Sequence, residues 1–102
     1  MVDDMNTLAK GKRHELECRK LLEEYGFKVF KPIWNRYGEK DIFGHFDMIA
    51  INNLYVLLVQ VKTKTHTKKV YNDIKAFEVP RNVIKLIMVR MPKKVFKIIE
   101  VK

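Results

Sequence analysis

The sequence predicts a single α/β domain spanning residues 1–102: a mixed β-sheet covered by an N-terminal helix and by a second, short helix. Three observations carry this expectation. A helix-period apolar stripe runs through the first quarter of the chain. Two apolar runs flank Asn52-Asn53 near its middle, and two β-rich runs separated by Pro92-Lys93-Lys94 close it. With 102 residues, 47% of them hydrophobic and 11% aromatic, the chain can build one modest core and no second domain.

The elements follow in order. Thr7 is placed to cap a helix over 8–25, which Gly26 stops. At roughly 100° per residue, Gly11, Glu15, Cys18, Leu21, Leu22 and Tyr25 share one stripe, which is expected to be buried. Glu15 is therefore a carboxylate on an apolar face, either a functional group or simply the residue at which the stripe meets water. Phe27–Phe30 reads as a short strand and residues 32–41 as a polar loop holding Trp34, Arg36 and Tyr37. Residues 70–78 predict a short helix with Val70, Ile74 and Phe77 inward, ended by Pro80. Val83–Met91 and Val95–Val101 read as the last two strands.

The stretch from Phe43 to Thr63 organises the rest. The runs Phe46–Ile51 and Leu54–Val61 predict a hairpin turning at Asn52-Asn53, since asparagine tolerates the positive φ of a tight turn. A turn centred between those two residues sets Asp47 opposite Leu58 and His45 opposite Gln60. Asp47, Gln60 and Lys62 then emerge on one face, with Asp47 and Gln60 on a diagonal roughly 7 Å apart. A buried strand ending Gln-Val-Lys requires partners for an amide and an ammonium. The same pattern fits a strand that has reached water by Gln60. His45 and Asp47 also form a His-x-Asp pair, a weak metal signal without a third ligand at recognisable spacing.

Charge is distributed unevenly. Residues 1–59 carry nine basic and nine acidic side chains, whereas residues 60–102 carry twelve basic and three acidic, so the entire net charge of +9 falls after the hairpin. Such a basic half suits a polyanion, nucleic acid above all, although a lysine-rich solubilising surface has the same composition. Serine is absent from the chain, which excludes serine hydrolases and serine recombinases. The lone Cys18 lies on the apolar helix face, where a thiol is normally inert, and one cysteine forms no internal disulfide and no structural zinc motif. These features, with no apolar run near the ~20 residues of a membrane span and no signal-peptide order at the start, fit a cytoplasmic protein.

Four pieces, Gly11-Lys-Arg-His-Glu15, Gly26-Phe27, Phe46-Asp47-Met-Ile-Ala and Val59-Gln60-Val-Lys62-Thr63, together resemble the PD-(D/E)XK nuclease superfamily, most of all the small archaeal and viral Holliday junction resolvases. The resemblance covers about the first two thirds of the chain. It implies a restriction-endonuclease-like fold and a Mg²⁺- or Mn²⁺-dependent endonuclease acting on branched or duplex DNA, in recombination and repair, as a homodimer. It further implies that Asp47, Gln60, Glu15 and the Val61 carbonyl hold the metal, and that Lys62 is the catalytic lysine beside Asp47, Gln60 and Glu15. Phe46 stands where the superfamily has its name-giving proline, and Gln60 where it has an acid. An amide oxygen still suits a hard cation but brings no charge. Lys12, Arg13, Arg36, Lys64, Lys68 and Lys69 are the expected phosphate contacts. A binding module without catalysis, or a ribonuclease, are the competing readings.

Overall fold

The computed structural model describes residues 3–32, 42–63 and 67–102, with side chains from residue 11 onward. The element order is α1 (Asp3–Glu24), β1 (Lys28–Phe30), β2 (Met48–Ile51), β3 (Val56–Thr63), α2 (Lys68–Ala76), β4 (Val83–Met91) and β5 (Val95–Val101). The five strands form one sheet in the order β1-β2-β3-β4-β5. All pairs are antiparallel except β3 with β4, which run parallel because α2 carries the chain back between them. The mixed α/β fold is the one the sequence predicts.

Alternation along the central strands sorts their side chains into two apolar layers. Met48, Ala50, Leu57, Val59, Leu86 and Met88 pack under α1 against Cys18 and Leu22. Leu58, Ile87, Val89 and Val101 pack with Phe46 and Ile74 on the α2 side. The long apolar run of β4 is explained by this arrangement, since a central strand covered on both faces has no polar side to show.

α1 departs from the predicted stripe at two positions. Tyr25 is exposed, because the helix ends at Glu24 and Gly26, at φ 93°, turns the chain away. His14 is buried instead, its Nδ1 lying 2.9 Å from Thr63 Oγ1. α2 begins at Lys68 with Thr67 as its cap: Val70 N–H donates to Thr67 Oγ1 at 3.2 Å. Between β4 and β5, Lys93 and Lys94 take φ of 67° and 60° in a short 3₁₀ turn.

The β2–β3 register differs from expectation by two residues. Ile51 pairs with Val56 and Met48 with Val59. Asn52 opens a four-residue turn rather than sitting at its centre: its N–H donates to the Tyr55 carbonyl at 3.0 Å, and its Oδ1 accepts from Leu54 and Tyr55 N–H at 2.8 and 2.7 Å. An asparagine side chain that binds the backbone two and three residues ahead belongs at the first position of a turn.

Candidate nucleic-acid cleavage site at the end of β3

β3 has eight residues and β2 four. Gln60, Val61, Lys62 and Thr63 retain β4 partners, but among the described residues no strand pairs with them on the β2 side. The sheet is notched here, and Asp47 stands at the notch.

Asp47 N–H donates to the Val59 carbonyl at 2.8 Å, although Val59 is already the partner of Met48. Two residues thus oppose one, a bulge that breaks the alternation: Phe46 belongs to the α2 layer and Met48 to the α1 layer. The Asp47 carboxylate reaches across the notch and accepts the Val61 N–H at 2.7 Å, satisfying a ladder donor that β2 is too short to meet. The N–H and C=O of one strand residue point the same way, so the Val61 carbonyl is directed to the Asp47 side as well.

Glu15 approaches from α1. It is half-buried and paired with Lys31 Nζ at 3.1 Å, just beyond β1. The neighbouring Cys18 reports on both carboxylates: its thiol is pushed up to about 12 by burial first, then by the charges of Asp47 and Glu15. Asp47, Glu15 and the Val61 backbone are thereby brought to one neighbourhood.

Gln60 and Lys62 belong to the other face. Two and four residues beyond Leu58 of the α2 layer, they share its face and, with His45, Asp73 and Ile74, line a cavity of about 220 Å³ beneath α2. The expectation of one common face for Asp47, Gln60 and Lys62 differs from the structure because the bulge turns Asp47 out of register. What the residues share is the notch, approached from the α1 side by Asp47 and Glu15 and from the α2 side by Gln60 and Lys62. His45 packs between the Phe46 and Phe77 rings, with centroids at 6.0 and 5.6 Å.

On the Asp47 side two carboxylates and a carbonyl present oxygen donors, the kind that suits a hard ion such as Mg²⁺ or Mn²⁺, while the Gln60 amide lies on the α2 side of the notch. Among the described residues no three His, Cys, Asp or Glu side chains group together as a metal cluster.

The exposed cations flank the same end of the sheet. The His14–Thr63 contact sets Lys12 and Arg13 near the end of β3 on the α1 side. Lys68 and Lys69 open α2 on the other, Lys69 also meeting Asp73 at 3.2 Å. Arg36 and Lys64 lie outside the described residues, as do Trp34, Tyr37, Glu39 and Asp41.

Besides the His14–Thr63 contact, two polar arrangements escaped sequence reasoning. Arg90 grips Glu17 with Nε and one terminal nitrogen, at 2.8 and 3.4 Å, tying α1 to β4. This hydrogen bond holds the Glu17 carboxyl below its usual range despite the opposing effect of burial. Lys85, buried within the apolar run of β4, donates to the carbonyls of Ile74, Lys75 and Phe77 at 2.8, 3.2 and 2.7 Å and closes the C-terminus of α2. A lysine amid β-branched residues was its only sequence signal.

No family model and no curated protein sequence matches the chain. Among solved structures, it is similar to Archaeoglobus fulgidus Hjc, a Holliday junction resolvase from an archaeal hyperthermophile. The TM-score is 0.67 at 18% identity, over 90% of this chain and 73% of that one. The chain has the resolvase fold. Hjc belongs to the PD-(D/E)XK nuclease-like superfamily, the superfamily that the sequence motifs resemble. At this identity the likeness is one of fold. Among the described residues no helix is long and apolar enough to cross a membrane.

Proposed function

We propose that the protein is a divalent-metal-dependent endonuclease that hydrolyses phosphodiester bonds of DNA, preferring branched structures such as Holliday junctions and acting as a homodimer. The observation that carries this reading is the Asp47 carboxylate bound to the Val61 N–H at 2.7 Å at the notched end of β3, in a chain with the resolvase fold.

In this reading Asp47, the Val61 carbonyl, Glu15 and Gln60 are the residues that hold Mg²⁺ or Mn²⁺. The ion would supply an activated water and screen charge at the phosphate. Lys62, extending from the strand end, orients the attacking water or offsets the negative charge that develops on phosphorus-bound oxygen. Lys31 neutralises Glu15 until a cation competes for it. Lys12, Arg13, Lys68 and Lys69, together with Arg36 and Lys64, hold the flanking phosphates. Affinity should then fall with salt by ~0.9 log units per log unit for each phosphate neutralised on duplex DNA.

The direct test incubates purified protein with four-way, flapped, duplex and single-stranded DNA plus Mg²⁺ or Mn²⁺. Asp47→Ala and Lys62→Ala serve as controls, each expected to abolish cutting while DNA binding persists. Cleavage that survives either substitution in nuclease-free preparations refutes the assignment. A second reading, a DNA-binding module without catalysis, is favoured by the uncharged Gln60 and by the Glu15–Lys31 pair. It predicts junction binding with no cutting in either metal.

A further inference from the structure

Phe43 occupies a position that folding alone does not favour. Ile42 and Phe46 exchange backbone hydrogen bonds of 2.7 and 3.0 Å, closing a three-residue loop of Phe43, Gly44 and His45. The first two residues take φ of 56° and 74°. Gly44 adopts that conformation freely, whereas a bulky side chain there is strained, and asparagine or glycine is the usual choice. Phe43 is nevertheless 63% exposed. Its ring rests on Phe77 with centroids 5.2 Å apart and planes tilted by 31°, so the loop holds it outward on a rigid aromatic base. The next two residues, Gly44 and His45, line the cavity that contains Gln60 and Lys62.

A strained backbone presenting a solvent-facing aromatic ring beside a basic cleavage site fits a ligand that is flat, apolar on its faces and attached to an anionic chain. We propose that Phe43 is a stacking platform for an unpaired nucleobase of DNA, and that it directs the site to substrates with unstacked bases, such as the branch point of a junction or flap. This rests on the nuclease reading above and specifies its substrate class. Fully paired duplex keeps its bases stacked and offers Phe43 nothing.

The test is a metal-free binding titration, which needs no cleavage. Two oligonucleotides of equal length carry 2-aminopurine, one in a single-stranded flap and one inside continuous duplex, and affinity and fluorescence are measured for the wild type, Phe43→Leu and Phe43→Asn. The wild type is expected to prefer the flap by roughly tenfold and to quench its fluorophore, as base–aromatic stacking does elsewhere. Both variants should lose the preference and the quenching while keeping duplex affinity, and Phe43→Asn should melt at or above the wild-type temperature because it relieves the backbone. Undiminished flap preference in both variants overturns the proposal, as does equal wild-type affinity for the two oligonucleotides. Flap preference that depends on Phe43, with no cutting of any substrate in Mg²⁺ or Mn²⁺, upholds the platform and refutes the nuclease reading alone.

Discussion

Replacing Lys85 with methionine keeps the length of the side chain and removes the charge that closes α2. Three bonds are lost, to the carbonyls of Ile74, Lys75 and Phe77, and bonds to a charged partner contribute roughly 1.5–3 kcal/mol each. They do not count equally. The Ile74 carbonyl retains the Phe77 N–H at 3.1 Å, and Lys75 is exposed, so water can reach its carbonyl. Counting the Phe77 bond nearly in full and the other two at a fraction, with some return from burying a thioether in place of an ammonium, gives a loss of about 3 kcal/mol. That is a large part of the ~5–15 kcal/mol of a small domain. Urea unfolding followed by far-UV circular dichroism measures it directly. With a slope of ~1–1.5 kcal/mol/M the midpoint should fall by roughly 2–3 M. A loss below about 1 kcal/mol would refute the capping role. Since α2 carries Val70, Asp73 and Ile74 into the cavity beside Gln60 and Lys62, the same substitution should impair cleavage at temperatures where the protein is still folded.

Four further outcomes are expected. Asp47→Asn retains an oxygen for the Val61 N–H and should abolish cutting with almost no change in stability, whereas Asp47→Ala should also cost about 1–2 kcal/mol in the same urea assay. Gln60→Glu adds a charged oxygen donor and should lower, or leave unchanged, the Mg²⁺ concentration for half-maximal cleavage; a higher requirement would remove Gln60 from the ligand set. Glu17, held below its ordinary 4.5 by Arg90, stabilises the fold fully above that pH and progressively less as pH falls through its folded value. Unfolding free energies of the wild type and Glu17→Gln should therefore differ at pH 6 and converge toward pH 3. Cys18, with its thiol pushed up to about 12, should resist Ellman's reagent at pH 8 in the native state and react only on unfolding.

The parts of the fold that local pattern determines were legible in the chain. Val83–Met91 and Val95–Val101 are strands with the bounds that the β-rich runs and the Pro92 turn imply. Val70 and Ile74 of α2, with Phe77 at its C-terminal cap, face the core, as their spacing requires. The hairpin was legible, its register less so: Asn52-Asn53 suits either of two turn positions, and only the bonds from Leu54 and Tyr55 decide between them. A shift of two residues preserves facing, so Gln60 and Lys62 still share the face of Leu58. The bulge at Asp47 did not show in the pattern because it depends on where β2 stops relative to β3. His14, Arg90 and Lys85 were missed for a related reason. Each meets its partner through tertiary packing, with His14 reaching Thr63, Arg90 reaching Glu17, and Lys85 crossing to the end of α2. Residues of the candidate site could be singled out one by one as polar groups where apolar ones were due, while their division between two faces is a property of the assembled sheet.

The unequal lengths of β2 and β3 set stability against reactivity at one place. Extending β2 by a few β-forming residues before Met48 would complete the hydrogen-bond ladder and stiffen the molecule, yet it would cover the main-chain oxygen of Val61 and displace the acid beside it. A chain selected for sturdiness alone would close that gap, so the short strand is the concession the architecture makes to leave that oxygen and that acid uncovered.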